Sequence, residues 1–279
     1  MAEAGVAMGL LVGLVLGLTG AGGSILAVPL LMAGLGWSLT QAVPVSLLAV
    51  TAAASFGAVV AWRSGIVRYR AALLMATAGV LAAPQGLALA EKLPAQTLAL
   101  LFAGLLVVVA VRLLLQACLH PQETTALRAA LGEDPADNRQ PACEISTQTG
   151  RIVWTQPCMW VISLTGALTG LLSGLLGVGG GFVVVPALRA VTRLSIHAAV
   201  ATSLMTIALT SFGTVVVSVW QGRHLPLQLA LPFVLGAVLG MAAGRRLAPG
   251  IAGPLLQQGF ATLMLLAAAG MGTHAVGWI

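Results

Sequence analysis

Two stretches of this chain are too apolar to leave a membrane and too broken to be one helix. Gly5–Gly36 and Met159–Ala190 are each 32 residues long and contain no Asp or Glu. As a continuous helix each would reach about 48 Å. That is too long for one upright crossing of a hydrocarbon core about 30 Å thick, and too short for two full ones. Each is also interrupted near its middle, by Gly20-Ala21-Gly22-Gly23-Ser24 in the first and Gly177-Val178-Gly179-Gly180-Gly181 in the second. Such glycine runs do not hold a regular helix. Irregular backbone at membrane depth survives only inside protein or beside a water-filled cavity. Other spans must therefore surround both breaks.

The two stretches are copies of one another. A shift of 157 residues lays Gly9–Leu47 on Gly166–Leu204 without a gap, and 18 of the 39 positions are identical. Shared Leu and Ala mean little in such a composition. More telling, Gly9, Gly13, Gly17, Gly20, Gly22 and Gly23 fall on Gly166, Gly170, Gly174, Gly177, Gly179 and Gly180. Pro29 falls on Pro186, Ser38 on Ser195 and Ser46 on Ser203, and Ser55-Phe56-Gly57 matches Ser211-Phe212-Gly213 after a one-residue slip. Hydropathy adds the spans Ala42–Trp62, Ala71–Ala90, Ala95–Leu115, Ile196–Trp220, Leu225–Ala243 and Ile251–Gly270. Two repeats of four segments follow, a transporter architecture. We expect an N-terminal transmembrane repeat over 1–115, a polar cytoplasmic loop over 116–157 and a C-terminal transmembrane repeat over 158–279. The fold class is all-α and polytopic, with the first segment of each repeat broken or re-entrant.

Only 7% of residues are charged and 59% are hydrophobic. Soluble domains carry about 25% charge, so a soluble enzyme, a nucleic-acid-binding domain and a disordered chain are excluded. The net charge of +6 comes from basic residues scattered between apolar segments, with no basic stripe for a nucleic acid. A secretory signal is not expected, because no basic residue precedes the first apolar run. Cys118, Cys143 and Cys158 have no metal or redox spacing and are expected to be free thiols.

Charge placement chooses the path of the broken segments. If each crosses once, the 13 basic residues divide eight to five between the two sides. If each folds back as a helix–break–helix hairpin, Arg63, Arg68, Arg70, Arg112, Arg128, Arg139, Arg151, Arg189, Arg193, Arg245 and Arg246 share one side, with only Lys92 and Arg223 opposite. The second arrangement is what the positive-inside rule favours. It makes the halves inverted repeats, with both termini periplasmic and the loop cytoplasmic. Two short spans in place of each hairpin give the same parity.

A helix that begins just after a break directs unpaired N–H groups and a positive dipole end into the protein, which suits an anion. The ends at Ser24–Val28 and Gly181–Val185 are expected to face each other near the midplane. Candidate substrate-binding residues are Thr19, Gly20, Gly22, Gly23, Ser24, Gln41, Ser46, Gly177, Gly179, Gly180, Gly181, His197 and Ser203. The four-residue glycine series 9/13/17, 166/170/174 and 236/240/244 is instead expected to serve close helix packing. Hydroxyls on the second segments, among them Thr51, Thr206, Thr210 and Ser211, either line a path or bond to their own helix carbonyls. His197 stands at a helix start, where capping or an interfacial role fits better than a proton relay.

Every Asp and Glu lies outside the spans, whereas proton- and sodium-coupled carriers commonly keep intramembrane carboxylates. A serine–histidine enzyme built from Ser24 or Ser173 with His197 or His274 is the rival class. The chain has neither the Gly-x-Ser-x-Gly elbow nor a His-Glu-x-x-His metal motif. No enzyme activity, metal or cofactor is expected. The expected partners are a small anionic substrate and the lipid bilayer, not a nucleic acid. Homodimerisation is a candidate assembly.

The pattern Gly17-Leu18-Thr19-Gly20-Ala21-Gly22-Gly23-Ser24-x4-Pro29, followed by Gln41-Ala42-x3-Ser46-Leu47, resembles the sulfite exporter TauE/SafE family. So does its copy from Gly174 to Pro186, with His197-Ala198-Ala199-x3-Ser203-Leu204. The resemblance implies a bacterial inner-membrane carrier, usually assigned eight helices, that exports sulfite, sulfoacetate or a related organosulfonate. An anion channel or a facilitator for another small metabolite is the alternative. The second break has Gly181 where the first has Ser24, so the two breaks are not chemically equal.

Overall fold

The computed structural model describes residues 2–20, 22–37, 39–119, 143, 154–192, 196–222, 227–247 and 253–276. Its elements are α1 (Ala2–Thr19), a 3-10 turn (Gly22–Leu26), α2 (Ala27–Leu35), α3 (Leu39–Arg63), α4 (Tyr69–Lys92) and α5 (Ala95–Leu119). After the polar stretch come α6 (Gln156–Leu176), α7 (Gly181–Val191), α8 (Ile196–Trp220), α9 (Leu227–Leu247) and α10 (Gly253–Val276). There is no strand among the described residues. Six helices (α3, α4, α5, α6, α8 and α9) are long and apolar enough to cross a membrane. Large apolar side chains also cover the outside, including Trp62, Leu81, Trp160, Leu164, Phe212, Trp220 and Leu266. A surface as apolar as the core is stable against lipid and not against water.

Both long apolar segments break at their glycines and fold back. α1 stops where Gly20 turns left-handed (φ 76°) and its N–H caps Leu16 O at 2.8 Å. The chain then returns along α1, with Gly23 against Leu16 and Gly34 against Met8. α6 begins with Thr155 as N-cap, accepting from the Cys158 N–H at 3.4 Å, and ends at Gly177 (φ 70°), whose N–H bonds Ser173 O at 2.9 Å. α7 likewise returns along α6. Gly180 lies against Thr169, and Ala187 and Leu188 share a small cleft with Val161, Ile162 and Thr165.

The packing glycines do what their spacing requires. On α1, Gly9, Gly13 and Gly17 lie against the backbone of Phe233, Ala237 and Met241 of α9, and Gly236, Gly240 and Gly244 return the contact on Val6, Leu10 and Leu14. On α6, Gly166, Gly170 and Gly174 lie against Met75, Gly79 and Ala83 of α4. A Cβ at any of these positions would overlap main-chain atoms of the other helix. Both pairs run parallel in constant register. The first helix of each repeat thus packs on the third hydrophobic segment of the other, α1 on α9 and α6 on α4, and α3 of one repeat packs on α8 of the other.

Parallel pairing and folded-back hairpins together fix which ends share a face. The end of α1 near Ala2, the end of α2 and the end of α4 lie on one face, here called the N face. The ends of α3, α5, α7 and α9 lie on the other, the loop face. Among the described residues Arg63, Arg68, Arg70, Arg112, Arg245 and Arg246 gather at the loop face, and Lys92 stands at the N face.

One sequence expectation is corrected. Cys143 and Cys158 are not free thiols; they are joined in a disulfide, with Cα atoms 4.9 Å apart. Cys143 also bridges Thr192 just past α7 and is fully buried with Met75, Ile162, Val184 and Leu188. This contact depends on α7 folding back beside the start of α6, and nothing in the cysteine spacing encodes it. The Cys118 side chain and most of the 116–157 stretch lie outside the described residues.

Candidate functional site

Each break is seated on the second hydrophobic segment of the opposite repeat. Gly20 packs against Val200 of α8 and Gly177 against Val43 of α3. Val43 and Val200 are themselves 157 positions apart, so the contacts are reciprocal at the spacing of the duplication. Each valine is the fifth residue of its helix. The two breaks therefore open one turn in from opposite faces. They then run inward. Gly179 faces Val50, Ile207 and Ser211, all within a turn of the midpoints of the 25-residue helices α3 and α8. The 3-10 turn of the first break packs on α7, so the first break meets the helix that returns from the second.

The two breaks differ in backbone chemistry. In the second, Gly177, Gly179 and Gly180 all take positive φ, and Gly180 (φ 64°, ψ 5°) leads into α7 with no side-chain cap. A left-handed residue followed by a right-handed one, as at Gly180 and Gly181, aims successive N–H groups into one concavity, and the helix end adds about half a positive charge. In the first, Gly20 alone among the described residues takes positive φ, and Gly22 and Gly23 belong to the 3-10 turn. Ser24 is fully buried there.

Ser46 ties one break in place: its single hydroxyl proton is shared between Gly177 O at 2.7 Å and Val43 O of its own helix at 2.8 Å. The other hydroxyls mostly serve their own helices. Thr19 bonds Val15 O, Thr51 bonds Leu47 O, Ser203 bonds Val200 O, Thr206 bonds Thr202 O and Thr210 bonds Thr206 O, at 2.6–3.0 Å. Ser211 is the exception. Its Oγ is buried, has no hydrogen-bond partner, and points at Gly179. Leaving such a group unpaired costs about 1–3 kcal/mol.

Of the expected site residues, Thr19, Gly20, Gly22, Gly23, Ser24 and Ser46 and the four glycines of the second break lie in or directly beside the two breaks. Gln41 is exposed at the start of α3. Ser203 is buried one turn from Val200. The His197 and Thr40 side chains lie outside the described residues. In the sequence Ser211 is one hydroxyl among several on a polar helix face. Its repetition in Ser55-Phe56-Gly57 and Ser211-Phe212-Gly213 was the available signal. Charge enters from the loop face. Arg245 donates to Gly57 O at 2.7 Å, and the backbone N–H of Arg68 bonds Thr202 Oγ1 at 3.1 Å while its Nε is buried without a partner. Among the described residues no cluster of His, Cys, Asp or Glu is arranged to hold a metal.

Paired glycine breaks buried at the centre of a bundle with a lipid-compatible surface define a polytopic α-helical membrane protein of transporter type. The chain belongs to the sulfite exporter TauE/SafE family, whose model matches residues 5–271. It is 31% identical over 242 residues to a "Probable membrane transporter protein" of Xylella fastidiosa strain 9a5c, covering 85% of this chain and 81% of the relative. The counterpart in strain Temecula1 is 33% identical over the same coverage. A protein of Methanocaldococcus jannaschii bearing the same description is 32% identical over 98 residues, 31% of this chain and 36% of the relative. No solved structure matches.

Proposed function

We propose that the chain exports a small sulfur-containing anion from the cell, namely sulfite, sulfoacetate or a related organosulfonate, by alternating access. The observation that carries this reading is the reciprocal seating of the breaks. Gly20 sits on Val200 and Gly177 on Val43, so each break is closed by the opposite repeat. Separating one break from its valine opens a route from one face while the other stays shut. A static pore would not be plugged at both ends by close packing, which favours a carrier over a channel. The two halves act as inverted repeats. The basic loop face is cytoplasmic and both termini are periplasmic, in the bacterial inner membrane.

The energetics suit export without a coupling carboxylate. An inside-negative potential drives each negative charge outward by about 2.3 kcal/mol per 100 mV, and a dianion by twice that. Arg68 and Arg245 at the loop face concentrate anions at the cytoplasmic entrance, and backbone N–H groups hold the anion at mid-depth. The disulfide points the other way, because stable disulfides belong to oxidising compartments. The gathered arginines outweigh one pair of cysteines, so on this reading the Cys143–Cys158 bond is reducible in the cell.

Flux into or out of proteoliposomes tests the proposal with sulfite, sulfoacetate and taurine as probes. Potential-driven movement of sulfite or sulfoacetate is expected. If none moves, and substitutions at Gly22 or Ser24 change the transport of no anion, the reading fails.

A further inference from the structure

Five hydroxyls on α8, those of Thr202, Ser203, Thr206, Thr210 and Thr214, each donate to a carbonyl one turn back on the same helix. Ser211 sits among them and does not. The Ile207 carbonyl one turn behind it already accepts a second bond from Thr210 at 3.2 Å. Its own Oγ is fully enclosed, has no partner, and faces the bare Cα of Gly179. Gly179 has φ 70°, and two residues further on the uncapped N-terminus of α7 begins. A buried donor left unpaired calls for a partner of its own.

We propose that the second break alone is the oxyanion seat, with Ser211 as the specificity-determining hydroxyl. This rests on the transport reading above and narrows it to one of the two breaks. The anion is admitted from the loop face as the first break loosens from Val200, one of its oxygens settles between Ser211 Oγ and Gly179, and loosening of the second break from Val43 then releases it to the N face. The hydroxyl donates to that oxygen, and the N–H groups of the Gly179–Gly181 turn donate to the others. Donors arriving from two helices suit a pyramidal or tetrahedral group with three oxygens, such as sulfite or a terminal sulfonate. A planar carboxylate offers only two oxygens, and a halide gains little from directional donors. The first break has neither the run of left-handed glycines nor an unpaired hydroxyl among its described residues, and serves as the mechanical counterpart.

The test uses the purified full chain in lipid nanodiscs, with sulfite binding followed by calorimetry and by the shift in melting temperature. Sulfoacetate, acetate and chloride are run in parallel. Ser211→Ala is expected to weaken sulfite and sulfoacetate binding about tenfold, the effect of one charge-assisted hydrogen bond. It is also expected to leave the melting temperature of the anion-free protein unchanged or higher, since an unpaired donor has been removed. Ser211→Cys, a poorer donor of nearly the same shape, should reproduce the loss. Thr165→Val, which removes a hydroxyl bonded only to its own helix, should leave binding as in the unsubstituted protein. If Ser211→Ala binds sulfite within twofold, or lowers the anion-free melting temperature with binding intact, the hydroxyl is structural. This proposal then falls while the transport reading stands. If the unsubstituted protein takes up acetate or chloride and no sulfur oxyanion, both the substrate reading and the selectivity assigned to Ser211 are overturned.

Discussion

Substituting Gly170 by alanine tests the interlocked packing of the two repeats most directly. In α6 this residue touches the backbone of Gly79 in α4, and a Cβ would overlap the Gly79 carbonyl group and Cα. The obstacle is main chain on both sides, so no flexible side chain can step aside and the helices must part. Overpacking of this kind costs about 1–3 kcal/mol. Contact with backbone puts this site near the top of that range. Alanine returns about 1 kcal/mol through its better helix propensity, leaving a net loss of about 2 kcal/mol. For a chain of this size that lowers the melting temperature by roughly 4 °C or more. Gly13→Ala makes the same overlap with the Ala237 backbone in α9 and should lose a similar amount. The two sites lie in separate helix pairs, so the double variant should lose about 4 kcal/mol, additive to within about 0.5 kcal/mol. Gly104→Ala is the matched control. It stands in α5 with nothing within 4 Å of its added Cβ, so only the propensity gain of about 1 kcal/mol remains. Thermal unfolding in detergent, followed by tryptophan fluorescence, measures all four proteins. Equal shifts for Gly170→Ala and Gly104→Ala would refute the packing assignment.

Further outcomes follow from other contacts. Ser46→Ala removes the bond to Gly177 O, should cost about 1 kcal/mol, and should slow anion flux by loosening the second break; unchanged flux and melting would mean that the bond positions nothing. Cys143→Ser opens a bridge spanning 15 residues and should cost about 3 kcal/mol under oxidising conditions, an effect that a reductant added to the unsubstituted protein must reproduce. In intact cells, a cysteine placed at Gln96 beside the N face should react with a membrane-impermeant maleimide, and one placed at Ser64 on the loop face should not. The reverse pattern would invert the orientation.

Much of the fold could be read from residue types because the bilayer leaves few choices. Scarce charge demanded a membrane, apolar lengths gave the spans, and glycines in a row could not continue a helix. The duplication at 157 residues makes the contacts of Gly20 with Val200 and Gly177 with Val43 two copies of one contact, although the contact itself is seen only in the structure. The gathering of basic residues at one face was also readable, because placing them needs only the parity of the crossings.

Tertiary structure alone decided which repeat each element packs on. Periodic glycines mark a helix for close approach without naming its partner. The exchange that sets α1 on α9 and α6 on α4 arises because main-chain surfaces in register meet only there. The disulfide depends on the same return of the chain, since Cys143 meets Cys158 only once α7 has folded back beside α6. Ser211 was one hydroxyl among many in the sequence. Whether a hydroxyl bonds its own helix or stays unpaired depends on local carbonyls and on the neighbour it faces, and here that neighbour is Gly179, 32 positions away in the chain.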